Sequence, residues 1–391
     1  MNREERYDVG GVMFAQPFKA VRLGHLGLWC ADTQGGEQRL VDSFGLRQTD
    51  RLVGKEGQLL GCFTTCNTDH HALVAINPDT ADPVRRAYYE AGATLNQISF
   101  QVNSLREVND AHRYFQKHGV KIARIGRDLP GSNWAVYAYD PDGHRVELFY
   151  GMEQVGWNGV SKPAAMYNHL PYEEFPLPQQ PEVHEVQQAR ENGIDLLSGY
   201  GRESALPYTY DVGGVLLQRP FKVGAVGPVR IFVNDLAASE RFYTEIIGLT
   251  KSAEVTYAGE RCVFLRAGAE HHSIALIPVA LRASLGMHPK TLLMSFGLRV
   301  QTYRQLKDAR KFLLDAGLKE IGLPAALHPG IGHALHFMLD ELHCVQLYFE
   351  MDQFGSATGA RAGDAPAAEW PEQLDGTASS YASQLRQGPL A

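Results

Sequence analysis

Tyr137-Ala-Tyr-Asp140-Pro-Asp-Gly143-His-Arg-Val-Glu147 holds the residue types and spacing best suited to chemistry in this chain. Tyr137 and Tyr139 lie two apart, the period of a strand. Asp140-Pro141-Asp142-Gly143 is turn chemistry, with Pro fixing φ and Gly free to take positive φ. Val146 to Tyr150 then reads as a returning strand with one carboxylate among apolar neighbours. Two environments suit Glu147: the wet face of a surface hairpin, or a buried site where something positive meets it. A metal ion would be such a partner, and it needs further ligands from elsewhere in the chain. His70-His71, just before the apolar run Ala72 to Ile76, is a second reactive pair, because imidazole titrates near neutrality and can move protons or bind metal.

The spacing from Tyr137 through Asp140, Pro141 and Gly143 to Glu147 resembles the signature of the type I extradiol ring-cleaving dioxygenases, within the vicinal oxygen chelate superfamily. In that family the Glu belongs to a 2-His-1-carboxylate set that holds Fe(II) on one face and leaves the others for substrate and O2. The resemblance implies that Glu147 is a ligand and that His25, in the strand Leu23-Gly-His-Leu-Gly-Leu28, is the first His. Read alone, a His on an apolar strand is more often a hydrogen-bonded core residue than a ligand. The slot of the second His falls on Gln97, a departure: an amide oxygen binds Fe(II) more weakly than imidazole, although Gln serves at metal positions in glyoxalase-like and epimerase members. By position His71 takes the family's acid/base role, or a ligand's role in a glyoxalase-like shell. Tyr137 matches a donor toward substrate oxygens, and a further family His is replaced by Asp128.

The elements that must position these residues come as a repeat. Tyr7-Asp-Val-Gly-Gly-Val12 recurs as Tyr210 to Val215, Pro17-Phe-Lys19 as Pro220 to Lys222, and Gly45-Leu46 as Gly248-Leu249. Asp69-His-His71 is echoed by Glu270-His-His272, and Val102 to Gly119 by Val300 to Gly317. Ordered matches of this kind mean a duplicated domain. Within the first copy, a strand over Val21–Cys30, a short helix over Glu37–Phe44 and three strands to about Ile76 make one β-α-β-β-β unit. A strand over Gln97–Val102 opens the next, followed by a helix with Val108, Ala111 and Phe115 on one face and Gly119 at its end. The expected fold is α+β: four βαβββ modules paired into two half-open barrels. Residues 1–160 form the first domain and 210–355 the second, with 161–209 a Pro-, Glu- and Gln-rich linker carrying one helical piece near 183–192, and 356–391 a tail.

In the second copy Pro228 stands at the place of His25, Ser295 of Gln97, His336 of Tyr137 and Gln346 of Glu147. Pro and Ser cannot hold iron, so this copy is expected to be structural and the first active. The implied function is a non-haem Fe(II) extradiol-type dioxygenase acting on a catechol-like aromatic with O2. The alternatives are a metal-dependent lyase or isomerase using Mn, Ni, Co or Zn, and a non-catalytic small-molecule binder.

Bulk properties fit a large folded protein. At 391 residues and 44 % hydrophobic, the chain can bury the cores of two domains. A formal charge of −7 with interspersed signs argues against nucleic-acid or membrane-surface partners. The residues after Met1 lack the apolar stretch of a signal peptide, and no run approaches eighteen apolar residues. The five cysteines form no Cys-x-x-Cys and read as buried thiols in a reducing compartment, the cytoplasm by default. Assembly into a homo-oligomer is left open.

Overall fold

Leu23, Leu26 and Leu28 are all buried on the opening strand, so both of its faces are covered and it belongs mid-sheet. The computed structural model describes residues 5–128, 130–156, 160–167, 174–354 and 370–372. After a short hairpin (β1 Tyr7–Val9, β2 Val12–Phe14), the first module runs β3 Arg22–Trp29, α1 Thr33–Gln38, β4 Arg47–Val53, β5 Leu59–Thr65 and β6 Leu73–Ile76. The expected helix over Glu37–Phe44 begins earlier, at an N-cap where Asp32 accepts from Gly35 N, and its later half is a π turn over Arg39–Ser43. A connecting helix, α2 Pro83–Glu90, went unread; Asp82 caps it and Pro83 starts it.

The second module is β7 Leu95–Gln101, α3 Leu105–Lys117, β8 Ile122–Arg127, β9 Trp134–Tyr139 and β10 Arg145–Tyr150. Ser104 caps α3, Val108, Ala111 and Phe115 are buried on it, and Gly119 (φ +65°) lets the chain leave it. The eight strands form one mixed sheet in the order β4-β5-β6-β3-β7-β10-β9-β8. The pairs β3–β6 and β7–β10 are parallel; antiparallel β3–β7 joins the two modules.

Helix α4 Glu182–Glu191 lies in the connecting segment, which is pinned rather than free. Gln48 and Arg202 exchange backbone hydrogen bonds of 2.8 and 2.9 Å, and Arg127 pairs with Glu185 through two bonds of 2.6 and 3.0 Å. The second copy repeats the plan. Its hairpin is β11 Tyr210–Val212 and β12 Val215–Leu217. One module follows as β13 Val223–Val233, α5 Leu236–Arg241, β14 Thr250–Tyr257, β15 Glu260–Arg266 and β16 Ile274–Pro278. The other is β17 Leu293–Val300, α6 Tyr303–Asp315, β18 Lys319–Ile321, β19 Ala334–Met338 and β20 Cys344–Tyr348. The sheet order matches that of the first copy strand for strand. The tail expected beyond 356 lies outside the described residues except for 370–372. Among the described residues no helix is long and apolar enough to cross a membrane.

The copies exchange equivalent contacts. Gln16 Nε2 donates to Glu245 O (2.9 Å) in the π turn after α5, while Arg219 donates to Asp42 O (2.7 Å) and Val41 O (2.6 Å) in the π turn after α1. Both sheets also use a glycine of the opening strand to seat a ring from the last. A β-carbon on Gly24 would lie 2.4 Å from Phe149 Cζ, and one on Gly227 would lie 2.3 Å from the Tyr348 hydroxyl. Gly24→Ala should therefore cost about 1–3 kcal/mol by overpacking, read as a lower urea midpoint. An unchanged midpoint would mean that Phe149 moves aside freely.

Candidate metal centre

One row of side chains crosses four adjacent strands of the first copy. In register, His25 on β3 is opposite Ser99 on β7, Ser99 opposite Glu147 on β10, and Glu147 opposite Tyr137 on β9. Directly opposed residues point to one face of a sheet. All four are buried. Glu147 is met from several sides: Ser99 Oγ donates to Oε2 at 2.5 Å, Gln97 Nε2 to Oε2 at 3.3 Å, and Asn133 Nδ2 to Oε1 at 2.8 Å. Burial alone would raise its pKa, but His25 beside it and the hydrogen bond from Ser99 hold the carboxyl below its ordinary range.

His25 Nε2 lies 2.8 Å from Glu147 Oε2, with both side chains fully buried. Even so, neither ring nitrogen of His25 makes a hydrogen bond among the described residues. An orphaned buried imidazole facing a carboxylate needs an explanation. Two ligands about 2.1 Å from one ion and at right angles to each other lie about 3 Å apart, so the spacing suits a shared divalent cation. His25 and Glu147 fit a metal.

Gln97 stands between opposite charges. Its nitrogen faces Glu147, while its oxygen accepts from Arg145 Nη2 at 3.3 Å. The flipped amide would set oxygen against carboxylate and NH2 against guanidinium, so the orientation is dictated chemically. Arg145 also donates to Asn96 O (3.0 Å) and Asn96 Oδ1 (2.5 Å). Arg145 thus draws on the very oxygen a metal would use. Among the described residues no three His, Cys, Asp or Glu side chains are grouped to hold an ion.

His71 sits beside the pair rather than within it. Its ring centroid is 4.4 Å from that of His25, and its Nδ1 is 3.0 Å from His70 Nδ1. Burial first, then the neighbouring His25 and His70, hold its pKa well below 6.5, so it is neutral. In the second copy the tautomer is defined. There His271 and His272 make the same Nδ1–Nδ1 contact (3.0 Å), and Arg230 Nη2 donates to His272 Nε2 at 3.0 Å. Arginine can only donate, so His272 Nε2 is bare and its proton is on Nδ1. In the first copy His70 and His71 make the same Nδ1–Nδ1 contact, with Asp50 3.8 Å from His70 Nε2.

Tyr137 donates to Asp128 Oδ2 at 2.5 Å, and Asn133 Nδ2 donates to the same oxygen at 3.1 Å. Asn133, which links Asp128 to Glu147, was missed in the sequence because nothing in the signature marks it. Its own Oδ1 is buried without a hydrogen-bond partner. Arg145, two residues before Glu147, was also missed; the alternation of a strand could have placed it on the ligand face.

The second copy's counterparts line up in register as the repeat implies: Ser295 opposite Arg230, and Gln346 opposite both Gly297 and His336. Arg230, fully buried, donates to Gln346 Oε1 (2.8 Å), Leu327 O (3.0 Å) and His272 Nε2 (3.0 Å). Its guanidinium therefore lies between the counterparts of Glu147 and His71.

A family model described as the Glyoxalase/Bleomycin resistance protein/Dioxygenase superfamily matches residues 22–148 and 225–351. The chain belongs to this superfamily, as two copies of its domain. No curated protein matches it. Among solved structures it is similar to the 2,3-dioxygenase LapB from Pseudomonas sp. KL28, at 15 % identity and TM-score 0.56, over 86 % of this chain and 94 % of that one. It is also similar to 2,2',3-trihydroxybiphenyl 1,2-dioxygenase from Sphingomonas wittichii strain RW1 (16 %, TM-score 0.54, 90 % and 98 % covered). The Mn(II)-bound glyoxalase from Novosphingobium aromaticivorans matches at 14 % and TM-score 0.54, over 86 % and 84 %. At these identities the likeness is one of fold.

The buried histidines set an acid limit. His272 and His336 are held well below 6.5, and His328 is pushed down to about 4, in each case chiefly by burial. Unfolding lets each take a proton at its ordinary pKa, so the unfolded state binds more protons and stability falls as pH drops below about 6.5. Each such group contributes up to about 1.4 kcal/mol per pH unit down to its folded value. Thermal unfolding of metal-free protein should show a falling midpoint from pH 7 to pH 5, with a shallower slope for His336→Phe. A flat profile would mean that the histidines reach solvent.

Proposed function

We propose that this protein is an extradiol-type dioxygenase that binds Fe(II) through His25 and Glu147 and cleaves a catechol-like aromatic with O2. One observation carries the choice: neutral His71 stands next to the ligand pair but outside it, as an acid/base would. A glyoxalase-like shell would need it as a ligand. The bound Fe(II) supplies the redox coupling between an electron-rich ring and O2.

The chain's own residues do the rest. His71 Nε2 accepts the proton of a substrate hydroxyl, and His70, bonded to Nδ1, holds the ring in the tautomer that can do so. Tyr137 gives its proton to Asp128, so toward a substrate hydroxyl its oxygen is an acceptor, not the donor expected from the signature. Glu147, ionised and hydrogen-bonded by Ser99 and Asn133, presents negative charge to the cation without side-chain freedom. Gln97 holds Glu147 from the other flank and lends its oxygen to the metal only in competition with Arg145. Five free cysteines, four of them buried, support a reducing compartment such as the cytoplasm.

Gln97 also favours a second reading, a metal-dependent lyase or isomerase using Mn, Ni, Co or Zn, because an amide at this position suits metals other than iron. Metal analysis of protein purified without air separates the two. The expected result is one iron per chain, lost in His25→Ala and Glu147→Ala but kept when His271, His272 and His336 are replaced together. Stoichiometric Mn, Ni, Co or Zn would instead support the lyase.

His71→Phe should keep its iron and lose roughly 10²–10⁴-fold in O2 consumption with a test catechol. A His71→Phe protein that arrives without metal would make His71 a ligand and favour the glyoxalase-like shell.

A further inference from the structure

Two strands of the first copy, β7 and β10, carry Gln97, Ser99, Arg145 and Glu147, and they pair in parallel. Their N-terminal ends therefore lie on the same side of the sheet. Both ends meet the second copy through buried polar contacts.

At the start of β10, the turn Asp140-Pro-Asp-Gly143 is held from both sides. Asp140 Oδ1 accepts from Asp142 N (3.0 Å) and His144 N (2.8 Å), closing the turn. Its other oxygen accepts from the hydroxyl of Tyr243, in the π turn after α5, at 2.9 Å. Asp142 accepts from Asn234 Nδ2 (2.6 Å) and Ser239 Oγ (3.3 Å) of the same module. At the start of β7, Thr94 Oγ1 bonds Thr291 Oγ1 at 2.8 Å, and Thr94 O lies 3.2 Å from His343 Nε2. Asp340 fixes His343 from behind, 2.8 Å from Nδ1. Leu292 N completes the contact by donating to Gly92 O at 2.8 Å. Tyr243, Thr94 and Thr291 are fully buried, and His343 nearly so.

We propose that the second copy, which lacks the ligands of the first, serves as a clamp on the two ligand-bearing strands. Tyr243, His343 and Thr291 are its positioning residues. The signature turn then has two tasks: it reverses the chain before Glu147, and it is the handle by which the second copy fixes where β10 begins. Buried hydrogen bonds suit this task, because a lost partner leaves an unsatisfied polar group that the surroundings cannot hydrate. Small changes in strand position matter because a binding constellation must be held within about 0.5 Å of its productive geometry. The clamp acts whatever reaction the site performs.

The test compares full-length wild type with Tyr243→Phe, His343→Ala and His343→Gln. In metal-free protein, amide exchange read by mass spectrometry should accelerate in peptides covering 95–101 and 145–150 for Tyr243→Phe and His343→Ala, with the second copy's own core unchanged. Loaded with Co(II), the same two variants should release it to a chelator roughly 10–100-fold faster, as loss of supporting hydrogen bonds does at metal sites, with a shifted visible absorption spectrum. His343→Gln keeps a donor near Thr94 O and should restore much of the wild-type behaviour. Wild-type exchange at both strands would overturn the clamp. So would faster exchange spread evenly along the chain with an unaltered Co(II) spectrum, which marks loss of global stability alone. A wild-type protein that takes up no Co(II) sinks the metal reading and leaves the exchange comparison to decide the clamp.

Discussion

A carboxylate with no exposed surface is the constraint on which the first copy is built. Glu147 sits in the middle of an eight-stranded sheet, where an unpaired charge would cost several kcal/mol. Everything around it reads as an answer to that cost. Ser99, Asn133 and Gln97 donate to its two oxygens, and His25 faces one of them without a hydrogen bond of its own. The row His25–Ser99–Glu147–Tyr137 needs β3, β7, β10 and β9 to be neighbours in one register. A slip by one residue would turn Glu147 to the opposite face. Sheet order and candidate chemistry are thus one requirement.

The second copy answers the same geometry with the opposite charge. With Gln346 at the place of Glu147 the site has no anion, and a guanidinium from Arg230 enters the space and is held by neutral acceptors alone. The residue at that point of the first copy is Gly27, where a β-carbon would already lie 2.9 Å from Gln97 Cγ. This one strand position carries no side chain in the first copy and a guanidinium in the second. Loss of His25's counterpart to Pro228 follows the same logic, since Pro228 packs against Gly297, the counterpart of Ser99.

Much of this was legible in the sequence, and the reasons are local. The repeat, the α3 periodicity with its Gly119 stop, and the Tyr137–Glu147 hairpin rest on neighbours in sequence, and the structure has all three. The early start of α1 was written in Asp32 but masked by two glycines, Gly35 and Gly36, that weaken a helical reading. What stayed hidden depends on residues far apart. Arg145 reads as an ordinary strand cation until β7 brings Asn96 and Gln97 to it. Arg230 has no motif at all; only the fold shows that it fills the second centre. The linker is marked by composition alone, and its attachments, Arg202 to Gln48 and Glu185 to Arg127, are contacts that composition cannot encode.

The two departures from the dioxygenase signature share a physical cause. Gln97 accepts from Arg145, and Asp128 pairs with Arg124. Both guanidinium groups lie over the Tyr137 ring, at 4.4 Å for Arg124 and 4.8 Å for Arg145. Where the family has two imidazoles, this chain has an amide and a carboxylate, each matched to a cation, with the phenol between them. An eroded site loses partners and leaves polar groups to be filled or neutralised, as Arg230 does in the second copy. Here each altered residue gained a partner of the right sign, and the ring that links them donates its hydroxyl to one of them. Of the two arginines Arg145 is buried, while Arg124 is exposed. In the first copy each altered residue therefore has a partner of opposite or matching polarity, whereas the second copy fills its centre with Arg230.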